Sequence, residues 1–258
     1  MFDICFCILI YRNYNDLQDF INSTKKLDLK TKIVVVDAFF SKECSLNIKK
    51  MCEINNCDYL SIDNKGYSYG NNYGINYILN NYGCRKIIVS NPDIIINKIT
   101  EDCLTEDYFI IAPEIRNKKG KLQNPFYYSQ NNFKEKMLYK SYKAKNKLLL
   151  YVVLFFQKIV RIFKLNKSGF IYGAHGAFLI FDAKMIKEFM PIFDDNMFLF
   201  SEENYLARFC KENNLFVYYD RKIKIYHKED GSMMSVNTYE LTRKSYMYYY
   251  EKYVRENK

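Results

Sequence analysis

The sequence predicts an α/β fold built on a mostly parallel central sheet with helices on both faces, and three observations predict it. Short apolar runs at residues 4–10, 33–36, 59–62 and 87–89 recur every 25 to 30 residues. The segments between them, 16–26, 45–55 and 71–81, have mixed polarity and helix length. That alternation is the signature of β-α-β units, whose strands are buried on both faces and so read as continuous apolar runs. Finally, Asp37 and Asn91-Pro92-Asp93 fall where two of the runs end, and ligands of such sheets gather at the carboxyl ends of the strands.

The elements follow in order. Met1-Phe2-Asp3-Ile4-Cys5 lacks the basic region and small-residue cleavage site of a signal peptide, so it reads as the strand that starts the fold. Further strands are predicted at 108–115 and 170–181, the second interrupted by Gly173-Ala174-His175-Gly176, which permits a bend or a close backbone approach. A helix follows over 202–213, then strands at 215–219 and 223–226, and a Tyr-rich helical segment over 237–255. With no repeat and no flexible linker, the organisation is one compact body: a half over 1–115, a half over 116–258, and a basic insertion over about 134–167.

Composition narrows the classes. A chain of 258 residues that is 49% hydrophobic buries one substantial core and is not an extended disordered protein. Its eight cysteines form no C-x-x-C pair, which argues against a disulfide framework or a cysteine zinc site and makes a reducing cytosol the simpler setting. The net charge of +10 is local: residues 134–167 hold ten basic side chains and one acid, Glu135, leaving the remainder near neutral. That distribution is not the coat of a nucleic-acid binder, which would also leave the carboxylate motifs without a role. Residues 148–156 are nine consecutive apolar side chains, well short of the roughly 20 that span a bilayer. Lys158, Arg161 and Lys164 then alternate with bulky apolar groups, a pattern suited to an interfacial helix on anionic lipid or to a core helix with a solvated flank.

Four segments and two histidines carry candidate chemistry. Asp37, closing Val34-Val35-Val36, suits a ribose hydroxyl or a base N–H, or else caps a helix. Asn64-Lys65-Gly66-Tyr67-Ser68-Tyr69-Gly70-Asn71-Asn72-Tyr73-Gly74 reads as a flexible loop entering a helix whose N–H groups face a diphosphate, or as a plain turn. Asp93, in Asn91-Pro92-Asp93, is placed to bridge through a divalent cation to phosphates, or belongs to a proline turn. Glu202 and Glu203 follow Ser201 either as helix-cap neighbours or as a base for an incoming hydroxyl. His227 is a candidate metal or phosphate contact, and His175 an acceptor contact or a loop hydrogen bond.

In that order these segments resemble the family 2 glycosyltransferases of the rhamnosyltransferase-like kind that build bacterial surface polysaccharides, over residues 4–232. The family's nucleotide-binding Asp is matched by Asp37. Its N-x-G-aromatic…G-x-N loop is matched by Asn64, Gly66, Tyr67, Gly70 and Asn72, and its N-P-D form of the metal motif by Asn91, Pro92 and Asp93. Gly173, Gly176, Ala177 and Phe178 suggest the Gly-Gly-Ala strand, residues 193–208 look like the acidic-pair helix, and His227 and Ser232 echo the closing His and Ser. The departures are Ala38 for the usual Asn, Glu202-Glu203 for Glu-Asp, and Tyr205 for a later Asp.

The resemblance implies a GT-A fold and an inverting single displacement of rhamnose or a hexose from a uridine or thymidine diphosphate sugar. It implies a saccharide acceptor held on a polyprenyl diphosphate, at the cytoplasmic face of the plasma membrane. Asp37, Asn64, Gly66, Asn72 and Asn91 would bind the nucleotide, and Asp93 with His227 would hold Mg2+ or Mn2+. Glu203 would be the base, with Glu202 as its substitute; Gly173, His175 and Gly176 would face the acceptor, and Lys158, Arg161 and Lys164 the membrane. Two other readings share these residues: a sugar nucleotidyltransferase, which would show a basic Gly-rich loop where Arg12-Asn13-Tyr14-Asn15 stands, and an inactive nucleotide-sugar-binding protein.

Overall fold

A computed structural model describes residues 1–12, 14–163, 167–229 and 238–255, with side chains described outside 157–163. The first half alternates as its sequence demands. Strand β1 (Phe2–Ile10) turns Ile4, Phe6, Ile8 and Ile10 to one face and Cys5 and Cys7 to the other, all fully buried. Helices α1 (Asn15–Thr24) and α2 (Lys42–Ile54) cover the first face, and α3 (Tyr67–Asn81) the second. Strands β2 (Thr31–Ala38), β3 (Asp58–Ile62) and β4 (Cys84–Ser90) join β1 in parallel pairs.

The second half completes the sheet differently. It adds β5 (Ile94–Lys98), β6 (Ile110–Asn117), β7 (Gly169–Ile171), β8 (Phe178–Asp182) and β9 (Val217–His227). The nine-stranded sheet runs β3-β2-β1-β4-β8-β6-β9-β5, with β7 also on β9. Here only β6 and β9 pair in parallel; β8, β5 and β7 run antiparallel to their neighbours. Helices α6 (Ala183–Glu188) and α7 (Glu202–Glu212) join α3 on the second face. A separate small core gathers α4 (Asn132–Lys143), α5 (Lys147–Phe163), α8 (Thr238–Tyr249) and the π-helical turn Tyr250–Arg255.

Three sequence expectations change. The run 170–181 is not one interrupted strand: β7 lies on β9, while β8 inserts between β4 and β6. The predicted strands 215–219 and 223–226 are one strand, β9, kinked where its register against β6 shifts at Pro113/Glu114. The glycine-rich stretch is mostly helix, because α3 begins at Tyr67. Gly66 sits before it at φ +101°, a conformation closed to most side chains. Gly70 and Gly74 lie inside α3 because a Cβ would come within 2.4 Å of Leu9 Cδ1 and Cys7 Sγ respectively. They let α3 press onto β1, a packing role in place of loop flexibility.

Candidate active site

The carboxyl ends of β1, β2 and β4 meet the amino ends of α3 and α7 around a cavity of about 480 Å³. Its wall includes Leu9 and Ala38 from the strands, Asn91-Pro92-Asp93 after β4, Asn64 and Gly66 before α3, His175-Gly176-Ala177 before β8, and Glu202 and Glu203 opening α7.

On one side stands Asp93, buried, with Oδ2 3.3 Å from His227 Nε2. Pairing of β5 with β9, which sets Ile94 opposite His227, brings them together. His227 Nδ1 lies 2.8 Å from Gln123 Oε1. The Gln123 amide nitrogen donates to Glu229 Oε1 at 2.8 Å, and Asn117 Nδ2 donates to Glu229 Oε2 at 2.9 Å. A carboxylate only accepts, so the nitrogen of Gln123 must face Glu229 and its oxygen the imidazole. Nδ1 therefore carries the proton, and in the neutral ring Nε2 turns a lone pair toward Asp93. Two electron-rich atoms that close require a proton or a metal cation between them. The donor set fits Mn2+ or Mg2+, the imidazole favouring Mn2+. Among the described residues no three His, Cys, Asp or Glu side chains converge; the remaining ligands would be phosphate oxygens and water, as is usual for such cations beside nucleotides.

The glutamates line the same cavity. Before α7, Phe200 and Ser201 both adopt left-handed backbone, φ 72° and 69°, each at a cost of roughly 1–3 kcal/mol. Ser201 holds the cap position but makes no side-chain cap bond, so the capping role read from the sequence is not the one it plays. The Gly176 N–H donates to Glu203 Oε1 at 3.3 Å, and a Cβ on Gly176 would lie 3.1 Å from that oxygen. Glu202 is buried, and its Oε1 has no hydrogen-bond partner. Desolvation by the surrounding protein pushes both carboxyls above the usual range, reinforced at Glu202 by the charge of Glu203 and opposed at both by backbone N–H groups, that of Phe200 at Glu202 and that of Gly176 at Glu203. Paired carboxyls shifted this way are candidates for acid–base chemistry. Tyr67 ties the start of α3 to this glutamate wall: its N–H donates to the Phe198 carbonyl and its hydroxyl to the Gly176 carbonyl, both at 2.7 Å.

Asn64, Gly66, Asn91, Asp93, His175, Gly176, Glu202 and Glu203 thus line one cavity, and His227 reaches it through Asp93. Three other candidates do not line it. Asp37 is buried beneath Tyr59, whose hydroxyl donates to it at 2.7 Å, while Ser41 caps α2. Asn72 is occupied as a staple: it donates to the Phe193 carbonyl and Asp195, and accepts from the Ile192 and Phe193 N–H groups. Gly173 makes room for Ala207 and Tyr127, and its carbonyl accepts from Phe126 and Tyr127. His175 accepts from the Ala177 N–H through Nδ1, and its own N–H donates to Asn124. Lys158 and Arg161 belong to α5, their side chains undescribed; Lys164 and Ser232 lie outside the described residues. Gln123, Glu229 and Asn117 carry no sequence signal, because their role arises only when β6 and β9 pair.

Solved structures with this architecture include GalNAc-T7 with UDP, GalNAc and Mn2+, at TM-score 0.62 and 10% identity over 97% of this chain and 48% of that one. S. aureus TarS 1-349 in complex with UDP superposes at TM-score 0.56 and 13% identity over 88% of this chain and 60% of that one.

The fold is GT-A.

Among curated proteins, the low-salt glycan biosynthesis hexosyltransferase Agl10 of Haloferax volcanii is 34% identical over 120 residues, 43% of this chain. The chain spans 37% of the length of that relative. No family model matches the chain.

Proposed function

We propose that the chain is a metal-dependent glycosyltransferase that moves a hexose or rhamnose from a uridine or thymidine diphosphate sugar to a saccharide acceptor. The observation that carries this reading is one cavity lined both by Asp93, which His227 contacts, and by the Glu202–Glu203 pair. Resemblance to a hexosyltransferase and the UDP and Mn2+ of fold neighbours support it.

A divalent cation held by Asp93 and His227 would supply charge neutralisation at the diphosphate. The chain's own residues do the rest. Glu203, oriented by the Gly176 N–H, takes the proton of the acceptor hydroxyl as its oxygen bonds to the anomeric carbon. The bond from that carbon to the diphosphate oxygen breaks on the opposite face, inverting the centre. Glu202, buried and with Oε1 unpartnered, favours its neutral form and so leaves the negative charge to Glu203. The acceptor is a glycan carried on a polyprenyl diphosphate, and the setting is the cytoplasmic face of the plasma membrane during surface-polysaccharide synthesis.

The test is transfer by folded Glu203→Gln and Asp93→Asn. A general base contributes about 10²–10⁴-fold, so Glu203→Gln is expected to lose that much in kcat while still binding donor, and Asp93→Asn to lose donor binding in Mn2+. Near-unchanged transfer by either variant contradicts the assignment.

A further inference from the structure

Helix α5 turns an apolar stripe to solvent. Leu148, Tyr151, Val152, Phe155 and Phe156 recur at three- and four-residue spacing, which puts them on one face. Leu148 is 76% exposed and Phe155 and Phe156 each 61%. The opposite face holds Leu150 and Val153 against the core shared with α4 and α8, so the stripe is not needed to build the fold. Soluble surfaces rarely carry such a continuous apolar patch without an occupant.

The surrounding charge says what the occupant is. Lys136, Lys140 and Lys143 on α4, and Lys145 and Lys147 at the turn into α5, are exposed. The acid of this segment, Glu135, is buried and paired with Arg208 at 2.8 Å, so it does not offset the lysines at the surface. The sequence beyond Phe156 adds Lys158, Arg161 and Lys164 between apolar residues. No helix among the described residues is long and apolar enough to cross a membrane.

We propose that the α4–α5 hairpin docks on an anionic bilayer, the stripe sunk among acyl chains and the lysines at the headgroups. Docking there serves the site. Tyr239, in the first turn of α8, stacks its ring under Lys147 at 5.3 Å and lies 6.1 Å from the Tyr142 ring. Leu241, two residues on, is part of the cavity wall. One turn of α8 therefore joins the membrane-facing hairpin to the cavity, and a lipid-held saccharide meets Glu203 beside the bilayer. This deepens the reading of the acceptor as lipid-linked and rests on it for its purpose.

The chain has no tryptophan, so Phe155→Trp supplies a single indole reporter. With vesicles of phosphatidylcholine plus phosphatidylglycerol, its emission is expected to shift to the blue and the protein to float. Phosphatidylcholine alone, or high salt, is expected to weaken binding at least about tenfold. The triple variant Leu148→Gln, Phe155→Gln, Phe156→Gln is expected to lose flotation while keeping its circular dichroism and its donor hydrolysis in solution. Emission that stays at the water-exposed maximum with every vesicle overturns the proposal. So does a blue shift without vesicles that grows with protein concentration alongside a dimer mass, which assigns the stripe to a second copy. Donor hydrolysis is read on the same samples: a protein that hydrolyses donor but does not float overturns docking alone, and one that floats without turnover supports docking and counts against the catalytic reading.

Discussion

Glu202 is a buried carboxyl with an unpartnered oxygen beside a second carboxyl. Its proton affinity is raised in the fold above the ordinary value, so the native state holds the proton more tightly than the unfolded chain does. It therefore costs no stability below the unfolded value, and stability falls as pH rises from there through the raised native value. Glu202→Gln removes that dependence: Tm is expected to rise at pH 7–8 and to change little near pH 4. Each tenfold change in proton affinity is about 1.4 kcal/mol, or roughly 2–4 °C in a chain of this size. For Glu203 the raised proton affinity places the acid limb of the kcat/KM profile above the usual carboxylate range, and Glu203→Gln abolishes that limb. Gln123→Leu frees His227 from its single tautomer and is expected to weaken Mn2+ binding about 10–100-fold by calorimetric titration. With two histidines in the chain, imidazole nitrogen NMR shows the tautomer change directly. Asp93, Glu202 and Glu203, which the structure brings to one cavity, and His227, which contacts Asp93, were marked in the sequence by type and order; Asp37 was marked too and does not line it. Gln123 was not, because an ordinary glutamine acquires its role from a neighbour 104 residues away.

At the scale of elements, α3 and α7 are held to the cavity by short-range sterics. Gly66→Ala places a Cβ 2.2 Å from the Phe198 carbonyl oxygen at a positive φ, so the α3 entrance must shift. The expected outcome is loss of donor binding together with a lower urea midpoint. Asn72→Ala leaves the Ile192 and Phe193 N–H groups unmet, about 1–3 kcal/mol for each buried group, with less effect on metal affinity than Gln123→Leu. Both residues were marked by the sequence, and for both the reading as phosphate-loop members missed the packing reason. A motif records that a residue type is required and leaves open whether a ligand or the protein requires it. The boundaries of β7, β8 and β9 were misread for a related reason: local apolar runs do not say which partner a strand takes, and a bulge inside β9 looks like a turn.

For the whole molecule, the first half was readable because β1, β2 and β4 have both faces buried and each crossover is a helix, so the β-α-β rhythm survives in the sequence. The second half mixes parallel and antiparallel pairs, a pattern without one period. The basic insertion was readable as charge, yet its division into an apolar outward face and a core-facing side needed α8 in place. The proposed function requires that the cavity between these halves bind a nucleotide-diphosphate sugar through a cation at Asp93 and His227. The most direct measurement is binding and slow hydrolysis of uridine and thymidine diphosphate sugars by the wild-type chain with Mn2+, with Mg2+ and with EDTA. The account predicts that one donor binds and turns over with metal, strongest with Mn2+, and is lost in EDTA. Binding of no donor in any condition, or binding unaffected by EDTA, contradicts it.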